Sequence, residues 1–176
     1  MSAFPLLRVA GRFYRAIRAD RVDHVLSPPA PDSAGRYHRH GEPALYLTAL
    51  PEWATIAVSK YIREDGLPRV IVPLDLDGAD PLDQRDDAAR MAAGIDREAS
   101  GVDWRKALKA GEEPPSWHAA DAARATGAAG IIDVSRHIPG GWHVTLFRWN
   151  EPGAPRVKIV GEAVSAVLSE RVDPGE

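Results

Sequence analysis

Residues 33–58 crowd Arg36, His38, Arg39 and His40, with Tyr37 and Tyr46, around a Gly-Glu-Pro turn ahead of the apolar run Ala44–Leu47. Guanidinium groups take phosphate oxygens bidentately, so such a cluster can hold a diphosphate. The plain alternative is a solvated loop. A second cationic, aromatic-rich stretch lies far downstream, Asp133-Val-Ser-Arg-His-Ile-Pro-Gly-Gly-Trp-His143. Both stretches are expected to fold together into one site for a phosphate-bearing ligand.

Other chemistry is less well supplied. His38 and His40 offer metal-ligating nitrogens, but no third ligand stands at a recognisable spacing, so no metal is expected. Tyr46 is either core, its hydroxyl finding a partner, or a ring that stacks on a base or nicotinamide. Ser135 follows a short apolar strand, where α/β folds present polar groups to ligands. The chain has no Gly-x-Ser-x-Gly elbow, no Gly-x-Gly-x-x-Gly and no P-loop.

Composition bounds the rest. With 176 residues, 44% hydrophobic and 27% charged, one domain with a real core is expected over residues 1–176, its centre at about 6–160. A net charge of −3 gives no support for direct nucleic-acid binding. The absence of cysteine excludes disulfides and thiolate metal sites and agrees with a reducing cytoplasm. No apolar run reaches the roughly 18 residues of a membrane span, and the first residues lack a secretory pattern.

The elements that must position these residues are short. Phe4–Arg18 alternates apolar and basic residues as a strand does, and Arg21–Ser33 reads as an extended loop. Ala44–Thr48 reads as a buried strand. Thr48, Pro51 and Glu52 open a helix that stops near Gly66. Arg69–Leu76 is the clearest strand, with Pro73 implying an edge or strand-end position. Short helices follow at Ala88–Ala93 and Asp103–Lys109, and a third after an expected N-cap at Ser116. Strands are expected at Ala129–Val134, Trp142–Trp149 and Val157–Gly161, with the remainder peripheral. Strands interleaved with helices imply a mixed α/β (α+β) fold.

In this order the motifs resemble the RES domain family. Phe13-Tyr14-Arg15-Ala16, Gly35-Arg36-Tyr37, Gly-Glu-Pro-Ala-Leu-Tyr46-Leu and Pro51-Glu52-x-Ala54 are similar to its opening half. Ile131-Ile-Asp-Val-Ser135-Arg136, Pro139-Gly-Gly-Trp and Leu146-Phe147 are similar to its closing half. Gly-Arg-Tyr-His and Pro-Glu-Trp-Ala look like its ParT branch. The resemblance implies a single compact domain similar to ADP-ribosyltransferase toxins, with short mixed strands and peripheral helices. It further implies a cytoplasmic toxin of a toxin–antitoxin pair that cleaves NAD at the nicotinamide–ribose bond. ADP-ribose would pass to a protein target, or to phosphate or water, depleting NAD. A Xre-type antitoxin would be the partner in a hetero-oligomer. Arg15 and Arg36 would hold the NAD phosphates or ribose, Tyr46 would pack at the nicotinamide end, and Ser135 would hydrogen-bond the ligand.

Two positions depart from that family. A glutamate is typical where this chain has Ala57, and a carboxylate there would stabilise positive charge developing on the ribose. Glu52 is the nearest alternative acid, although at a helix start it also complements the dipole. An asparagine-like position near Trp142 is His143. The missing glutamate leaves open a catalytically weak module that binds NAD or the antitoxin.

Overall fold

A computed structural model describes residues 4–168. Its centre is one mixed sheet in the order β4-β5-β6-β2-β1-β3-β7, with β8 also pairing β3. The strands are β1 (Val9–Arg18), β2 (Leu45–Thr48), β3 (Arg69–Ala79), β4 (Leu82–Asp83), β5 (Gly130–Val134), β6 (Trp142–Leu146), β7 (Arg156–Ile159) and β8 (Val164–Ser165). Among the described residues four α-helices flank them: α1 (Pro51–Asp65), α2 (Asp87–Ala92), α3 (Trp104–Lys109) and α4 (Pro115–Ala125). The expected mixed α/β class is what the chain adopts. Among the described residues no helix is long and apolar enough to cross a membrane.

The sheet consists of two well-paired halves joined by a weak seam. Tyr14↔Thr48 is the one registered pair between β1 and β2. By contrast, β2 and β6 register from Leu45↔Leu146 to Thr48↔His143, and β1 and β3 register from Val9↔Ala79 to Arg18↔Arg69. Residues of both β1 and β2, Tyr14, Arg15, Leu47 and Thr48 among them, line one cavity at this seam.

Alternation along the strands assigns the faces. Leu45, Leu47, Val144, Leu146 and Ile132 fall on one face and join Phe13, Val72, Leu74 and Trp149 in the larger core cluster. Tyr46, Thr48, His143, Thr145, Ile131 and Asp133 fall on the other. Part of this second face is covered by α4, whose Ala119, Ala120 and Ala123 pack with Tyr37, Ile131 and Phe147. The uncovered part is polar.

Local chemistry moves several boundaries from their sequence-based positions. Thr48 does not cap α1: it ends β2, its hydroxyl donates to the Leu50 carbonyl at 2.9 Å, and Leu50 holds the cap position. Pro51 and Glu52 do occupy the first turn, and Gly66 closes the helix at φ 64°, a left-handed angle that favours glycine. Ser116 is no cap either, because its hydroxyl is taken by the Arg36 carbonyl and the helix begins at Pro115. The expected extended loop from Arg21 instead opens in a 3-10 helix over Ala19–His24. Pro73 lies inside β3 rather than at an edge. It faces the break between β7 and β8, where its carbonyl accepts from Val160 and its missing N–H costs no ladder bond. The end of the expected peripheral remainder, residues 169–176, lies outside the described residues.

Candidate functional site

The Gly35–His38 turn folds back onto the hydroxyl of Tyr46. Gly35 N–H donates to the His38 carbonyl at 3.0 Å, closing the turn. A Cβ at Gly35 would fall 2.3 Å from the His38 ring and 2.7 Å from the Tyr46 oxygen, so only glycine permits this approach. The Tyr37 N–H then donates to the Tyr46 hydroxyl at 3.1 Å, and His38 Nδ1 lies 2.8 Å from the same oxygen. Burial holds the His38 imidazole down to about 4, so the ring is neutral at ordinary pH, and it raises the Tyr46 phenol above its ordinary value.

Arg36, next in the turn, crosses to the opposite stretch. Its guanidinium donates to Asp133 Oδ2 at 2.5 Å, and through Nε and Nη2 to the Ser100 carbonyl. This ion pair ties the loop to β5 and brings the two cationic stretches together, as the sequence leads one to expect. Asp133 is nonetheless raised to about 6, because burial outweighs the attraction of Arg36. Beside it, burial and then the Arg36 charge lower His143 to about 4.

A cavity of about 440 Å³, within the usual size of small-molecule sites, opens at the seam and over the polar face. Arg15, Arg36, Tyr46 and Ser135 all line it, as do His143 and Ala57. Three of the residues that line it carry a buried polar atom without a hydrogen-bond partner among the described residues: His38 Nε2, Asp133 Oδ1 and Thr145 Oγ1. An unpaired buried polar atom costs about 1–3 kcal/mol, and all three such atoms belong to residues that line this one cavity.

Arg15 is, with Arg136, a cavity-lining cation that pairs with no carboxylate among the described residues. It donates to the Val25 carbonyl. Burial pulls its guanidinium down to about 10, opposed by the nearby Tyr46. Ser135 Oγ accepts from the N–H groups of His137 and Ile138, each at 3.2 Å, leaving its own proton to donate. Glu52 is exposed in the first turn of α1 and does not line the cavity. Of the two cavity carboxylates, Asp103 is committed to capping α3 through Arg105 and Lys106, which holds it below the usual carboxylate range. Asp133 keeps one oxygen without a partner.

Residues 5–169 match the RES domain family. The chain belongs to that family. The RES fold here is similar to that of a chain in the crystal structure of the M. tuberculosis MbcT–MbcA toxin–antitoxin complex. The TM-score is 0.60 at 16% identity, over 91% of this chain and 86% of that one. No curated protein matches the sequence at a significant level.

Within this RES domain the cationic loop divides its labour. Arg39 turns away from the cavity, pairing with Asp121 at 2.9 Å and Glu113 at 2.5 Å, with its guanidinium 5.1 Å from the Trp117 ring. His40 is exposed and does not line the cavity. The sequence reading missed Asp133 and Thr145. Asp133 is the one carboxylate inside the apolar run Gly130–Val134, a signal that could have found it. Thr145 carries no such signal. Nor does the sequence mark the cavity-lining group in which Arg105 lies 4.2 Å from the Tyr61 ring and 5.4 Å from Trp104.

Proposed function

We propose that this RES protein is the toxin of a toxin–antitoxin pair and consumes NAD. The C–N bond between nicotinamide and ribose breaks, its electron pair leaving with nicotinamide. An acceptor then bonds to the ribose carbon and gives up a proton. The favoured acceptor is a side chain of a protein target, which becomes ADP-ribosylated. The observation that carries the reading is one cavity holding Arg15, Arg36, Tyr46 and Ser135, the four residues that the family resemblance assigns to NAD.

In this reading Arg15 supplies the cation for the diphosphate, since Arg36 is largely committed to Asp133 and Ser100. Ser135 donates to a ligand oxygen, and Tyr46 borders the nicotinamide end. Asp133, rather than the exposed Glu52, supplies the carboxylate that stands near positive charge developing on the ribose. The work is done in the cytoplasm by a single domain spanning 1–176. A Xre-type antitoxin would inhibit by covering the cavity mouth in a hetero-oligomer, a reading supported by the toxin–antitoxin complex in which the similar fold occurs.

Two further readings rest on specific features. Phosphate or water as acceptor would make the protein an NAD phosphorylase or glycohydrolase. Ala57, on the cavity wall where the family glutamate is expected, favours a weak or inactive NAD-binding module. Incubating purified protein with labelled NAD, with and without cell lysate, separates them. The proposal expects nicotinamide release and a labelled lysate protein. Free ADP-ribose or its phosphate without labelled protein selects the second reading, and binding without release selects the third.

A further inference from the structure

The hydrogen bonds around Tyr46 restrict where its proton can go. The oxygen already accepts from the Tyr37 N–H. Among the described residues its remaining polar neighbour is His38 Nδ1 at 2.8 Å. Two arrangements satisfy that contact. If Tyr46 donates to Nδ1, the neutral ring must carry its hydrogen on Nε2, which is buried and has no partner. An orphaned buried N–H is rare in native proteins and costs the full desolvation of a donor. If instead Nδ1–H donates to Tyr46, Nε2 presents only a lone pair, and the tyrosine accepts twice. Its own proton is then left free of both partners, on a residue that lines the cavity.

Gly35 makes the contact possible, because its missing Cβ is what lets the imidazole and the phenol oxygen meet at this point. A glycine, a backbone N–H and a histidine thus converge on one hydroxyl.

We propose that His38 is a positioning residue. As the Nδ1–H tautomer it fixes Tyr46 as a hydrogen-bond donor into the cavity, aimed at an uncharged oxygen of the ligand. Given the NAD reading, on which only the identity of the acceptor rests, the nicotinamide amide carbonyl supplies that oxygen. The role differs from packing against a ring: removing the hydroxyl, or the histidine that orients it, should weaken binding even when the aromatic surface remains.

Nitrogen-15 histidine labelling of the whole protein tests the first half without any ligand. Long-range nitrogen–proton correlation at neutral pH reports each ring's tautomer, and the His38 signals are identified through backbone assignment. Nδ1–H at His38 is expected, and Nε2–H overturns the proposal. The second half is read by NAD titration. Tyr46→Phe should weaken binding about tenfold, the scale of one hydrogen bond. His38→Leu should match that loss, while His38→Asn, whose amide can donate from the position of Nδ1, should recover most of it. Wild-type affinity in His38→Leu, with the variant folded by circular dichroism, overturns the proposal. If the wild-type protein binds no NAD, the functional reading fails and the tautomer alone decides the role of His38.

Discussion

The two faces of β2, β6 and β5 are made by the same strands and differ by one residue of register. On one face Leu45, Leu47, Val144, Leu146 and Ile132 are sealed among core side chains. On the other, Tyr46, Thr48, His143, Thr145 and Asp133 meet a cavity, and two of them keep buried polar atoms without partners. The apolar face is optimised for burial. The polar face carries desolvation costs that the apolar face does not. Stability and binding are therefore expected to separate by face.

Truncation on the apolar face should have the largest effect on stability. Leu146 is fully buried, so Leu146→Ala should cost about 2–5 kcal/mol in urea unfolding, through lost transfer energy and a residual cavity. Its neighbour Thr145 should behave oppositely. Thr145→Val removes an unpaired buried hydroxyl at nearly constant volume, so stability should hold or rise by about 1 kcal/mol while NAD affinity falls. Equal destabilisation by both variants would break the comparison.

A smaller contrast lies within the cationic loop. Arg39→Ala loses partly exposed ion pairs and a stacking contact with Trp117, costing roughly 1 kcal/mol or less, and should leave NAD binding unchanged. Arg36→Ala is less clean, because it leaves Asp133 buried and unpaired at a cost of about 3–5 kcal/mol.

The same contrast extends to the pH dependence. His38 and His143 are held down to about 4, so the unfolded chain binds protons that the folded chain refuses between about 4 and the ordinary histidine value of 6.5. Their contribution is fully present above that window and is lost as pH falls through it. Asp133, raised to about 6, acts in the opposite sense between 3.8 and 6, favouring the folded state as pH falls. His143→Asn should therefore reduce the acid loss of stability, and Asp133→Asn should increase it, in urea midpoints measured from pH 7 to 4.

Much of this arrangement is legible in the chain. The alternation of Leu45-Tyr46-Leu47-Thr48 and of Trp142–Leu146 marks strands with one apolar face, and Gly66 marks a helix end. Arg15, Arg36, Tyr46 and Ser135 were named from motif resemblance and meet at one cavity. What sequence patterns do not carry is long-range pairing. The partner of Arg36 lies 97 residues away, and that of Arg39 82 residues away, so the two arginines look equivalent until the chain folds. The break between β7 and β8 that accommodates Pro73 is equally non-local. The His38–Tyr46 contact depends on a turn closed by Gly35, which composition alone does not reveal.

The central claim, that the seam and polar face form an NAD site anchored by Arg15, is tested most directly by nicotinamide release. Wild-type and Arg15→Ala proteins would be compared at matched NAD concentrations, with folding checked by thermal unfolding. The account predicts release by the wild type and at least a tenfold drop in the folded variant, the scale of one lost charge-assisted contact. Undiminished release by Arg15→Ala would contradict it.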